Sequence, residues 1–247
     1  MDNVRSATPG QVRRSPSVPA HWPIRRHVAA AETTPAGPLH LVEVTVPAKT
    51  NLTLHVGPAH EEWGGRHALD TIYCAIGVND VVTATAKTPG SGFSLELSGE
   101  HLGDLASSGS DMRRNHAVLA LFAIARAAGR EPDVALYVDK HIPVGAGLGG
   151  GSADAAATLL AVNTLWGLHW PIERLRDIAA TLGADMPFCL EGGYAHGTGF
   201  GERIIPLEDD SSCVQTLRDR GFAGQLLVGA YHAQPVSYTH LTLPTIC

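Results

Sequence analysis

The stretch Pro143-Val144-Gly145-Ala146-Gly147-Leu148-Gly149-Gly150-Gly151-Ser152-Ala153-Asp154-Ala155-Ala156-Ala157-Thr158-Leu159-Leu160-Ala161 decides how the chain is read. Five glycines fall within the seven positions 145–151, after a strand-like run and before a helix-like one. Glycine accepts positive φ and lets other atoms approach the backbone closely. In such a loop successive N–H groups turn inward, and the following helix offers free N–H groups and a positive dipole end. This predicts a phosphate cradle. The alternative is a flexible Gly-rich connector, but such linkers rarely run straight into an uninterrupted helix.

Two common phosphate loops fit poorly. The P-loop needs a lysine followed by Ser or Thr after its last glycines, whereas here Gly150 leads to Gly151 and Ser152. The dinucleotide pattern is formally met by Gly145, Gly147 and Gly150. It also requires a second strand ending in an acidic residue about 20 positions on. That region instead reads Trp166-Gly167-Leu168-His169-Trp170-Pro171, a helix end and a new start.

The 247 residues allow one large domain or two small ones. Charged residues make up 17% and hydrophobic residues 44%, which is a globular composition. A net charge of −6 argues against nucleic acid as the main partner, which calls for a basic face. No apolar run approaches the roughly 20 residues of a membrane helix. Cys74, Cys189, Cys213 and Cys247 lack paired spacing, so they read as reduced thiols of a cytoplasmic protein with no zinc site.

Residues 1–38 are rich in Pro, Arg, Ser and Ala without hydrophobic period, and are expected to be a disordered extension. They lack the apolar core of a secretory signal. Leu41 to Val46 is a β-prone run that Pro47 is expected to break. In the alternating run from Ala48 to Val56, Leu52, Leu54 and Val56 are expected to face the core. Lys49, Asn51, Thr53 and His55 then face away, toward solvent or a site, and spacing alone favours solvent.

A polar loop is expected over 57–66, strands over 69–76, 81–86 and 93–97, and a helix over 112–128. That helix would have Asp111 as its N-cap and Gly129 as its stop. Val134 to Val138 reads as the strand entering the Gly-rich loop. The helix from Ser152 to about Trp166 is apolar nearly all round, hence buried. Ser152 suits an N-cap or a metal or phosphate contact, and Asp154 suits the dipole of the first turn. A further helix runs from Pro171 to Leu182, and Asp185 in the following turn is by default a local hydrogen-bonding residue. Short strands are expected over 188–190, 194–198, 204–207 and 225–230.

Four segments in order resemble the GHMP kinases: 47–56 (PAKTNLTLHV), 65–71 (GRHALDT), 142–156 (IPVGAGLGGGSADAA) and 183–202 (GADMPF…GTGFGE). The first and last point to the branch that phosphorylates a cytidine diphosphate-linked methylerythritol on the non-mevalonate route to isoprenoids. The resemblance implies an α+β fold with a ribosomal protein S5 domain 2-like N-terminal domain over 39–207. A cut-short C-terminal domain would begin over 208–235, and 236–247 matches nothing in the family.

By resemblance, Lys49 and Asp185 form the catalytic pair. The loop of Pro143, Val144, Gly145, Ala146, Gly147, Leu148, Gly149, Gly150, Gly151, Ser152 and Ala153 would hold ATP, with Mg²⁺ bridging the phosphates. No magnesium ligand is assigned. His67 and Asn51 would line the cytidine pocket, and Asn115 and Lys140 would meet the adenosine end. The chemistry fits: a carboxylate takes the proton of the attacking alcohol, and a neighbouring lysine keeps it ionised. The family has a tyrosine that stacks on cytosine where this chain has Arg66, a side chain that also stacks on rings. Other GHMP small-molecule kinases, or a nucleotide-binding fragment without turnover, are the alternatives.

Overall fold

The computed structural model describes residues 39–99, 102, 112–208, 210–217 and 219–220. The expected extension over 1–38, the strand over 225–230, the candidate cap Asp111 and the tail over 236–247 lie outside them. Two long strands set the frame. β1 (Leu41–His60) and β2 (Arg66–Ala86) pair antiparallel along their whole length. β2 then serves two more neighbours, pairing with β4 (Val134–Lys140) through its second half and β5 (Tyr194–Thr198) through its first. β3 (Ser94–Gly99) adds parallel to β4, and β6 (Arg203–Pro206) adds antiparallel to β5.

Pro47 does not end the first strand. The register shifts between Pro47 and Ala48, and a bulge tolerates a residue without an N–H. The polar loop expected over 57–66 likewise shrinks to a short 3₁₀ turn at Glu61–Trp63, because β1 runs on to His60. The strands expected over 69–76 and 81–86 are one continuous strand.

A second shift, between Asn51 and Thr53, has larger consequences. Side chains alternate with period 2, so one extra residue exchanges the faces beyond it. Leu52 remains in the core. Beyond it Leu54 and Val56 line the same cavity as Lys49 and Asn51, contrary to the simple alternation.

Helices cover one face of the sheet. α1 (His116–Ala128) starts later than expected, after a 3₁₀ turn at Met112–Arg114. Asn115 is its cap, its Oδ1 accepting from Ala117 N, and Gly129 ends it as expected at φ 62°. α2 (Gly150–Leu165) rests on β1 and β2 and is covered by α1 and by α4 (Met186–Glu191). Ala153, Ala155, Ala156, Ala157 and Ala161 are all fully buried, and their small side chains let layers close on both sides of one helix.

The N-cap of α2 is Gly149 in the left-handed region, not Ser152. α3 (Ile172–Leu182) keeps its expected span with Pro171 as the cap. The strand expected over 188–190 is instead the helix α4: Phe188, Cys189 and Leu190 are buried together, and a short apolar run carries no period to tell helix from strand. A last helix, α5 (Ser212–Leu217), buries Val214 and Leu217.

Candidate active site

The Gly-rich loop joins β4 to α2 and is pinned to β1. Lys49 N donates to Leu148 O at 2.9 Å. At Gly149 a Cβ would lie 2.8 Å from Lys49 Cγ, so the glycine is needed for close approach as well as for its φ of 72°. Two cavities flank this junction. One, of about 270 Å³, is lined by Pro143 to Gly151 together with Arg114, Asn115, His116, Lys140 and Asp154. The other, of about 290 Å³, holds Lys49, Asn51, Tyr73, Ser152 and Asp185, with Arg66 and His67 at its rim.

In the second cavity Lys49 and Asp185 meet. Lys49 Nζ is 3.0 Å from Asp185 Oδ2 and donates to Asn51 Oδ1 at 3.0 Å. Lys49 is 3% exposed, so at Lys49 and Asn51 the face that spacing gave to solvent lines a cavity instead, while His55, beyond the bulge, is exposed. Asn51 Nδ2 donates to Thr71 Oγ1 at 2.7 Å, which fixes the amide. Asp185 stands at the N-cap position of α4 yet makes no capping bond. Its Oδ1 accepts instead from Tyr73 Oη at 3.0 Å. Each carboxylate oxygen thus has a donor, one from each long strand.

Tyr73 was not singled out from the sequence. Its ring is fully buried and stacked on Phe188 at 4.8 Å. Gly197 and Gly201 leave room for it: a Cβ on Gly201 would stand 2.7 Å from the hydroxyl, and one on Gly197 would collide with the ring edge. Two residues before it on β2, Thr71 holds Asn51. The period-2 spacing of Thr71 and Tyr73 was the available clue.

Of the remaining expected residues, Ser152 lines the second cavity rather than capping α2. Ala153 is fully buried and lines neither cavity; its N–H is used within α2, donating to Gly149 O. His67 lies at the rim, with Nδ1 2.9 Å from Gly57 O. Arg66 stacks over Phe200, its guanidinium carbon 4.4 Å from the ring centre. Asn115 lines the loop cavity while its oxygen caps α1.

Lys140 is held in a buried cluster rather than free to reach a ligand. Its Nζ donates to Asp80 Oδ2 and, at 2.7 Å, to Asp154 Oδ2. Asp154, expected to serve the helix dipole, is buried against this ammonium. Burial pushes its carboxyl well above the ordinary carboxylate range; Lys140 opposes that shift and the charge of Asp80 adds to it. Burial pulls Lys140 down, but the two carboxylates outweigh it and raise the ammonium above its usual value. Burial lowers His116, with Lys140 adding to the effect and a hydrogen bond with the Gly151 backbone opposing it.

A family model described as the GHMP kinases N terminal domain matches residues 115–193, from the cap of α1 to the turn before β5. A curated relative from Bifidobacterium adolescentis, named 4-diphosphocytidyl-2-C-methyl-D-erythritol kinase, is 74% identical over 196 residues, covering 79% of this chain and 64% of the relative. A crystal structure of 4-(cytidine 5'-diphospho)-2C-methyl-D-erythritol kinase aligns with a TM-score of 0.52 at 37% identity, covering 67% of this chain and 55% of that one. A homoserine kinase from Cytophaga hutchinsonii aligns at 0.53 with 18% identity over 71% and 54%, a likeness of fold alone. The chain therefore spans less than two thirds of the curated relative and of the solved kinase. Residues 115–193 match the GHMP kinase N-terminal domain, and the chain has the fold of the GHMP kinases.

Proposed function

We propose that the chain belongs to an ATP-dependent small-molecule kinase that phosphorylates the 2-hydroxyl of 4-diphosphocytidyl-2-C-methyl-D-erythritol, in the methylerythritol phosphate route to isoprenoids. The observation that carries the reading is the Lys49–Asp185 pair at 3.0 Å, in a cavity that the Gly-rich loop separates from a second one. Asp185 takes the proton of the attacking hydroxyl, and the Lys49 ammonium, 3.0 Å from that carboxylate, favours the developing alkoxide. The loop from Pro143 to Ser152 receives the phosphates of ATP. Arg66, His67 and Asn51 face the cytidine-linked acceptor.

Magnesium supplies charge neutralisation across the transferred phosphoryl group. Among the described residues no cluster of three or more His, Cys, Asp or Glu side chains is arranged to hold a metal, which suits a cation that arrives on the nucleotide. The reaction is assigned to the cytoplasm on the widely spaced cysteines, which read as reduced thiols.

The test is a coupled ADP-release assay with ATP, Mg²⁺ and three acceptors: the cytidine-linked methylerythritol, homoserine and mevalonate. It is run on this chain and on the chain continued with the remaining length of the Bifidobacterium adolescentis relative. Release with the cytidine-linked acceptor alone is the expected result. Release with another acceptor, or none from either folded protein, overturns the assignment.

A further inference from the structure

Beneath the Gly-rich loop the buried acidic side chains outnumber the buried basic ones, although the exposed Arg114 also lines the loop cavity. One ammonium, Lys140, serves two buried carboxylates, Asp80 and Asp154. Asp80 is fully engaged, because its Oδ1 also accepts from the backbone N–H groups of His141 at 2.6 Å and Ile142 at 2.8 Å. Asp154 is not. It is 3% exposed, its Oδ2 is on Lys140, and its Oδ1 is buried with no hydrogen-bond partner. Leaving a buried acceptor unsatisfied costs about 1–3 kcal/mol, more when the group is charged. The side chain borders the loop cavity, which is the open space next to this buried oxygen.

A bare polyphosphate is the wrong partner for this oxygen, since it would bring further acceptors to an acceptor. A cation carried on the phosphates reverses the sign of that encounter. We propose that Asp154, through Oδ1, is the protein's own ligand for the divalent cation that accompanies the nucleotide, an inference that rests on reading the loop as a nucleotide cradle. Carboxylate oxygen is the donor Mg²⁺ prefers, and such ions are commonly held by one or two carboxylates plus substrate phosphates. Lys140 fixes the other oxygen, which leaves Oδ1 in one orientation. Gly150 passes closely over this cluster: an added Cβ would lie 3.2 Å from Lys140 Nζ and 3.1 Å from Ile142 Cγ2.

The probes are ADP and Mn²⁺. ADP affinity is measured calorimetrically in EDTA and with Mn²⁺, and bound Mn²⁺ is counted by the loss of its free paramagnetic resonance signal. In the unaltered chain ADP should bind more tightly with Mn²⁺. Asp154→Asn preserves the size and removes the charge; it should weaken Mn²⁺ in the ternary complex by roughly 10-fold or more. Metal-free ADP should bind that variant no worse, since a negative charge has left the floor. Equal Mn²⁺ affinity in the two proteins overturns the proposal. So does an unaltered chain whose ADP affinity ignores Mn²⁺, a result that needs no variant. An unaltered chain that binds no ADP in either condition removes the nucleotide reading itself, and Asp154 with it.

Discussion

Lys49 Nζ and Asp185 Oδ2 lie 3.0 Å apart although one comes from the first strand and the other from the turn that opens α4. Asp185→Asn keeps an oxygen for the Tyr73 hydroxyl and removes the proton acceptor. Turnover should fall by at least about 10²-fold while nucleotide affinity is nearly kept. Steady-state kinetics beside ADP calorimetry would measure both, and near-normal turnover would take Asp185 out of the role of base.

Tyr73 bears on the same carboxylate from the other side. Tyr73→Phe keeps the ring stacked on Phe188 and deletes only the hydroxyl. One lost hydrogen bond to a charged group costs about 1.5–3 kcal/mol. The variant should fold, with kcat reduced roughly 10-fold and the KM for ATP little changed. A change in KM alone would show that the hydroxyl serves binding rather than the placement of Asp185.

Gly197 is the price of that tyrosine. An added Cβ would collide with the ring edge of Tyr73, which is wedged between β5 and Phe188. Gly197→Ala should destabilise the fold by about 1–3 kcal/mol through overpacking. It should also lower turnover, because the displaced hydroxyl leaves Asp185. Urea unfolding and kinetics on one preparation would check the two effects together, and an unchanged unfolding midpoint would refute the clash.

Much of this was legible in the sequence, for identifiable reasons. The Gly-rich loop, the buried Ala-rich helix and the end of α1 at Gly129 follow from local chemistry: positive φ, side-chain size and the helical period. The parity of β1 was not legible, because the bulge near Leu52 is set by pairing with β2 and leaves no local mark. Phe188 to Leu190 folds as a helix in a run too short to show a period. The site was half legible. Residue identity marked Lys49 and Asp185 only through resemblance, since an alternating strand and a turn aspartate are usually solvent and local features. Tyr73 and the cluster of Asp80, Lys140 and Asp154 depend on contacts between strands and helices distant in sequence, which no window along the chain contains.

Gly147 sits at φ 75° with no neighbour within 4 Å of an added Cβ. Substitution there is therefore a matter of backbone conformation, and of room for phosphate, rather than of a clash within the chain. Gly147→Val forces a β-branched residue into the left-handed region at a cost of about 1–2 kcal/mol. Stability should fall modestly, while ADP binding should drop below detection as the loop abandons its cradle shape. ADP bound with unaltered affinity by this variant would count against phosphate binding by the loop.

Lys140 holds two carboxylates in the core, and its removal exposes what the cluster costs. Lys140→Met fits the apolar stem but leaves Asp80 and Asp154 buried without their cation. Breaking a buried ion pair by deleting one partner typically costs about 3–5 kcal/mol, and here one deletion breaks two pairs. Asp80 still keeps two backbone donors, whereas Asp154 loses the ammonium on its Oδ2 and has no donor on its Oδ1, so the burden falls on Asp154. Adding Asp154→Asn to Lys140→Met should accordingly recover part of the lost stability. In a double-mutant cycle by urea unfolding, the two changes should be strongly non-additive, as groups in direct contact are. Additive losses would mean that Lys140 and Asp154 are not coupled in solution, and that the cluster beneath the loop is held by Asp80 alone.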